Sequence, residues 1–239
     1  MLETATALLL AHAATDFLFK TNGLPASRPP AATLILHAVI VLVASQAAIG
    51  RVDAWEPLAI AAASLAINTV TAFAMPARLW AFLLDQAAHV ATLLAVAFLS
   101  PGLFAGGLWA GLDGLPAVMA LGAGGIIATA AGGQAVALLV DPWDKSMLPE
   151  GLPNGGRLIG LLERSIIYLL IIVGQPAGIG FLIAAKSVLR FETASKDQRA
   201  GEYVIVGTLA SFGWAMVAGW ATLALVSHLP PIGILPQSP

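Results

Sequence analysis

The sequence predicts an all-α fold, a polytopic bundle of transmembrane helices. Of its 239 residues, 59% are hydrophobic and only 10% are charged, where an ordinary soluble domain carries roughly 25% charged residues. Mean hydropathy is +0.89. The apolar residues run in stretches of about 20, the length needed to cross a hydrocarbon core of about 30 Å, and Pro and Gly punctuate them. The same composition excludes other classes. With 11 Lys and Arg against 13 Asp and Glu, there is no basic excess to meet nucleic-acid phosphates. With no cysteine, there is no disulfide framework, thiolate metal site or cysteine nucleophile.

Eight spans are expected, near 2–19, 32–49, 55–75, 79–99, 115–140, 157–174, 176–191 and 202–228, in a single integral membrane domain covering 1–239. The first begins with Glu3 as its only early charge. It therefore lacks the basic leader of a signal peptide and is kept as a span. Asn22-Gly23-Leu24-Pro25 and Arg28-Pro29-Pro30 close the loop behind it. Met75-Pro76 ends the third span and Ser100-Pro101-Gly102 the fourth. The Pro/Gly-rich stretch from Pro149 to Gly156 separates the fifth from the sixth, and Gly174-Gln175-Pro176 reverses the chain into the seventh. Glycines between Gly102 and Gly133 fit close helix packing in lipid. Trp55, Trp80 and Trp143 stand near span ends, where indoles anchor at the interface.

Loop charge sets the expected orientation. Lys20, Arg28, Arg78, Lys145, Arg157, Arg190, Lys196 and Arg199 fall in alternate connections, while the other connections and both termini hold only Arg51. Under the positive-inside rule the basic loops are cytoplasmic and both termini lie outside.

Ionisable residues inside spans are costly and mark candidate sites. Here they are His12, Asp16, His37, Asp85, His89, Glu163, Arg164 and Lys186. At 1.5 Å per residue all fall in one layer, roughly 5–15 Å inside the cytoplasmic boundary. His12 and Asp16 are spaced i,i+4, as are Asp85 and His89, so each pair shares a helix face. Imidazole and carboxylate so placed can ligate one divalent cation inside a bundle, and His37 enlarges the set. Such donors suit Zn, Mn or Fe. The same spacing also fits a structural hydrogen-bonded network, with Arg164 and Lys186 neutralising Asp16, Asp85 or Glu163, or a path for protons or solutes. Glu163 and Arg164 are adjacent and so point about 100° apart.

Several blocks resemble a known family. Ala11-His12-Ala13-Ala14-Thr15-Asp16-Phe17 is similar to an HxxxDF opening, and Asp85-Gln86-Ala87-Ala88-His89 to a DQxxH motif. Gly160-Leu161-Leu162-Glu163-Arg164, Ala184-Ala185-Lys186-Ser187-Val188-Leu189-Arg190-Phe191 and Glu202-Tyr203 to Leu209 extend the resemblance to about residue 215. Together they resemble an uncharacterised family of bacterial polytopic membrane proteins, known only as a domain of unknown function. The resemblance implies the bacterial inner membrane and implies that these polar residues define the family pattern. The chain departs from it in the third span, where Ser64 and Asn68 stand in place of an HxxxD pair and Thr71 in place of a lysine.

Three functions follow as expectations. The first is an accessory or binding subunit of a membrane complex, which the altered third span favours, with the lipid bilayer and other membrane subunits as partners. The second is a metal-dependent intramembrane hydrolase of a lipid-like substrate. In it His12, Asp16, His37, Asp85 and His89 hold the metal, Glu163 acts as base, and Arg164 or Lys186 binds an anionic headgroup. The third is a small-solute or proton transporter.

Overall fold

The computed structural model describes residues 1–19, 31–143, 154–196 and 198–232. Among them the chain is helical with no strand. The helices are α1 (Leu2–Phe17), α2 (Ala31–Ile49), α3 (Glu56–Ala74), α4 (Leu79–Leu99), α5 (Leu115–Val140), α6 (Gly155–Ile172), α7 (Gly178–Lys196) and α8 (Gln198–Val226). Helix α5 contains a π-helical turn over Ile127–Ala131.

Five of these helices, α2, α3, α4, α5 and the stretch Gly201–Val226 of α8, are long and apolar enough to cross a membrane. The expected eight spans are corrected to five. Helix α1 has 16 residues, about 24 Å of rise against a hydrocarbon core of about 30 Å. Helix α6 carries Arg157, Glu163 and Arg164. The apolar part of α7 is confined to Gly178–Val188. The Lys20 and Arg28 loop and Lys145 lie outside the described residues. Arg51, the lone cation of its set of loops, is held by Asp53 at 2.7 Å. That hydrogen bond raises the Arg51 pKa and lowers that of Asp53.

The chain divides into two compact units, Met1–Ile126 with Leu225–Ile232, and Ile127–Ala224. In the first, α1 packs against α2, α4 and the start of α5, while α2 packs on α3 and α3 on α4. Helices α1 to α4 thus close a ring of successive contacts, and α1 also carries the start of α5. Ala7, Leu8 and Ala13 are fully buried, as are Thr4, Thr6 and Thr15. This explains how a short helix rich in threonine persists among apolar ones: Thr6 returns its hydroxyl to the Leu2 carbonyl and Thr15 to that of His12. Leu8, Val41, Ile49, Ile60, Leu93 and Leu103 form the core beside it.

The segment after α4 is fastened to the end of α2. Gly50 has φ of 74°, and its carbonyl accepts from Leu108 N at 3.0 Å. The Trp109 indole donates to the Ala47 carbonyl. A Cβ on Gly107 would overlap the Ile49 carbonyl, so the expected close glycine packing holds there, whereas Gly102 and Gly111 face open space.

In the second unit α6 packs against the far half of α5 and against α7. Ile167, Ile171, Ile179, Phe212 and Ala215 form its core. The turn between α6 and α7 is the predicted reversal, with Gly174 at φ of 71° and Gln175 N donating to the Leu170 carbonyl at 2.7 Å.

Candidate functional site

Helices α1, α2, α3 and α4 each send polar side chains into the first unit. The i,i+4 spacing in α1 sets His12 Nδ1 at 3.9 Å from Asp16 Oδ1. The same spacing in α4 sets His89 Nε2 at 4.0 Å from Asp85 Oδ1. All four residues are buried, and the two faces meet. The His12 and His89 rings stack at a centroid distance of 4.9 Å. Asp16, Asp85 and His89 each offer a ligand atom, all within 4.8 Å of one another. From α2, His37 Nε2 lies 3.2 Å from Asp16 Oδ1. The five residues expected as metal ligands are therefore neighbours.

Two further residues complete the cluster. Gln86 Nε2 donates to Asp16 Oδ2 at 3.2 Å and to Asp85 Oδ2 at 3.1 Å, while its Oε1 meets His12 Nε2 at 3.1 Å. Thr71 Oγ1 lies 2.7 Å from Asp85 Oδ1 and 3.0 Å from the Ile67 carbonyl. Neither was expected as a site residue. A search for ionisable groups passes over a neutral amide, yet Gln86 is a polar residue in the middle of the apolar run Leu79–Leu99, and that was the readable signal. Thr71 was marked only by standing where the resembled family has a lysine, and a threonine in a helix commonly bonds its own backbone.

Ser64 and Asn68 sit one turn apart in α3, with Asn68 Nδ2 donating to Ser64 Oγ at 3.3 Å. Ser64, His12, His89, Ser45 and Thr92 supply the polar lining of a cavity of about 10 Å³ closed by Leu8, Val41, Ile60 and Leu93. That volume is close to the smallest that holds one water. His89 Nε2 is buried and has no hydrogen-bond partner among the described residues. An unsatisfied buried imidazole nitrogen costs free energy unless a proton donor or a metal meets it.

Glu163 and Lys186 meet within the second unit, and Arg164 lies next to Glu163 in α6. Lys186 Nζ pairs with Glu163 Oε2 at 2.7 Å and stands 5.0 Å from the Phe212 ring centroid. Arg164 turns the other way, as adjacency required. Its Nε donates to the Thr129 carbonyl at 3.0 Å and its Nη1 to Ser211 Oγ at 3.1 Å. The π-helical turn presents that carbonyl, and the Ile127 carbonyl accepts from the Trp214 indole at 2.9 Å. Gly132, Gly133 and Gly160 leave the space the guanidinium fills, since a Cβ at any of them would press on Arg164.

The fold and cluster define a class, an all-α protein with several membrane-compatible helices around a buried His/Asp group. Residues 4–105 match a family described as "Protein of unknown function (DUF3307)". The match spans α1 to α4 and the whole His/Asp cluster. It stops well short of residue 215, where the motif resemblance was expected to end, and leaves Glu163, Arg164 and Lys186 outside it. No curated protein matches the chain, and no solved structure matches it.

Proposed function

We propose that the chain is a multi-pass protein of the bacterial inner membrane that binds one divalent cation between α1 and α4. In this reading it serves as a binding or accessory subunit rather than as a hydrolase. The observation that carries the proposal is the Asp16, Asp85 and His89 group, whose ligand atoms lie within 4.8 Å while His89 Nε2 has no hydrogen-bond partner among the described residues. Two carboxylates and an imidazole gathered in a buried site are donors that suit one divalent ion. His12 and His37 stand ready at the edge of the set.

Binding is favoured over hydrolysis because the residues expected to do the chemistry are engaged elsewhere. The cavity of about 10 Å³ beside His12 and His89 has room for about one water. Glu163 and Lys186, the expected base and headgroup ligand, satisfy each other at 2.7 Å. Arg164 is taken up by a carbonyl and a hydroxyl. These three are thus structural in this reading.

The test is the metal content of detergent-purified protein, measured by mass spectrometry. One equivalent of Zn, Mn or Fe is expected in the native chain, falling to background in Asp85→Asn and His89→Ala. A native chain that takes up no divalent metal after dialysis against each ion overturns the proposal.

A further inference from the structure

The two ends of the ring formed by α1 to α4 differ in what separates them from Asp16, Asp85 and His89. At the end where α1 starts and α4 stops, the following segment is tied down. Thr4 Oγ1 donates to the Pro101 carbonyl at 3.1 Å and accepts from Phe104 N at 3.2 Å. Ser100 Oγ donates to Glu56 Oε1 at 2.8 Å. Between these bonds and the site, Leu8, Val41, Ile49, Ile60, Leu93 and Leu103 pack as one cluster, none more than 5% exposed. Thr4 stands two helical turns from His12, about 12 Å of apolar interior. A cation crossing it would give up its water and meet no ligand in exchange.

The opposite end, where α1 stops and α4 starts, is built differently. Phe82 precedes Asp85 by three residues and Gln86 by four, so it lies on the same face of α4 and only about 4.5 Å along the helix from Asp85. Its ring meets that of Phe17 edge to face, with centroids 6.3 Å apart. Phe17 in turn meets the His12 ring at 6.4 Å. Among the described residues this aromatic pair is the layer beyond the carboxylates toward that end. Aromatic faces attract cations where alkyl side chains do not. Phe17 is the last residue of α1, and helix ends open at little cost, so the two rings can part while the ring of helices stays packed. Entry from the side would lead a charge past the exposed Val43, Leu58 and Leu94 on the outer faces of α2, α3 and α4, a costly path in lipid.

We infer that Phe17 and Phe82 form the gate of the cation site, which loads and empties at the end of the ring where α1 stops. The inference rests on the cation reading above and adds to it the route of the ion. A gate of this kind sets how fast the ion exchanges. It leaves the affinity to the ligands, because lowering a barrier speeds both directions alike.

The experiment measures rates beside affinity. Full-length, metal-free protein in detergent is mixed with Zn²⁺ by stopped flow, release is followed with a fluorescent chelator, and Kd is taken from calorimetry. Phe82→Ala should speed uptake and release together, each about two- to tenfold, the contribution of one aromatic pair expressed as a rate. Its Kd should stay at the native value. Phe82→Trp, with a larger ring, should slow both. Thr4→Val and Leu93→Ala, which loosen the tied end and its apolar layer, should exchange at the native rate. Should Phe82→Ala fail to fold, Phe17→Ala, at a half-buried helix end, carries the same expectation. A native chain that takes up no Zn²⁺ overturns the cation reading, and the gate with it. If the native chain binds but the phenylalanine variants exchange at its rate, the gate alone is overturned. A changed Kd with unchanged uptake has the same consequence, since the rings then shape the site instead of guarding it. Faster exchange in Thr4→Val or Leu93→Ala places the entry at the tied end and also overturns the inference.

Discussion

Asp16 and Asp85 in the first unit meet imidazoles, a neutral amide and a hydroxyl, while Glu163 in the second meets the ammonium of Lys186 at 2.7 Å. The second arrangement is complete. Charge cancels charge, and the neighbouring Arg164 is held by a backbone carbonyl and Ser211. The first is built from imidazoles, an amide and a hydroxyl, and among the described residues it keeps a buried imidazole nitrogen without a hydrogen bond. Buried polar groups are costly unless they are satisfied. The contrast separates a cluster that stabilises a fold from one arranged to receive an ion.

Breaking the ion pair should produce the largest effect. Lys186→Met leaves Glu163 as an uncompensated buried charge and should cost about 3–5 kcal/mol, read as a lower thermal midpoint in detergent. Glu163→Gln in the same chain should restore most of that loss, and metal content should stay at one equivalent throughout. Loss of metal in a folded Lys186→Met would show that the second cluster serves the first.

A smaller effect is expected where Arg164 enters its slot. Gly132→Ala would place a methyl against the Trp214 indole and the Arg164 side chain, an overpacking that costs about 1–3 kcal/mol. Combining it with Trp214→Phe should recover part of the loss, because the smaller ring yields space. A Gly132→Ala chain as stable as the native one would mean that the slot is loose.

Thr71→Val should have the smallest effect on stability, about 1 kcal/mol or less, since it removes one hydrogen bond to Asp85. Its value lies in the other reading: titration with Zn²⁺ should show weaker binding as Asp85 loses a partner that orients it. Equal affinity would place Thr71 outside the site.

Much of this was readable from residue order. The runs 79–99 and 115–140 became Leu79–Leu99 and Leu115–Val140, because Pro and Gly bound them and no charge but Asp85 interrupts the first. The i,i+4 pairs landed on the faces that meet. What failed was the count of spans. Apolar composition does not reveal that α1 stops at Phe17, nor that the apolar part of α7 ends at Val188 while the helix itself continues to Lys196. Nor could composition reveal the π-helical turn. Ile127-Ala128-Thr129-Ala130-Ala131 are ordinary helix residues, and their geometry is decided by what the Arg164 and Trp214 side chains require of their carbonyls.

That turn bears on how this gene can change length. A π-helical turn is a helix with one residue more than its repeat accommodates, so the surplus is absorbed locally and the flanking faces keep their directions. Losing a codon between Ile127 and Ala131 would let the turn relax to ordinary pitch with both flanks still facing as they do. Losing one elsewhere in α5 would swing every later side chain of that helix by about 100°. Single-residue deletions in α5 should therefore be survivable at this position above others. The cost of one there falls on a specific pair of contacts, the carbonyls that now receive the Trp214 indole and the Arg164 guanidinium.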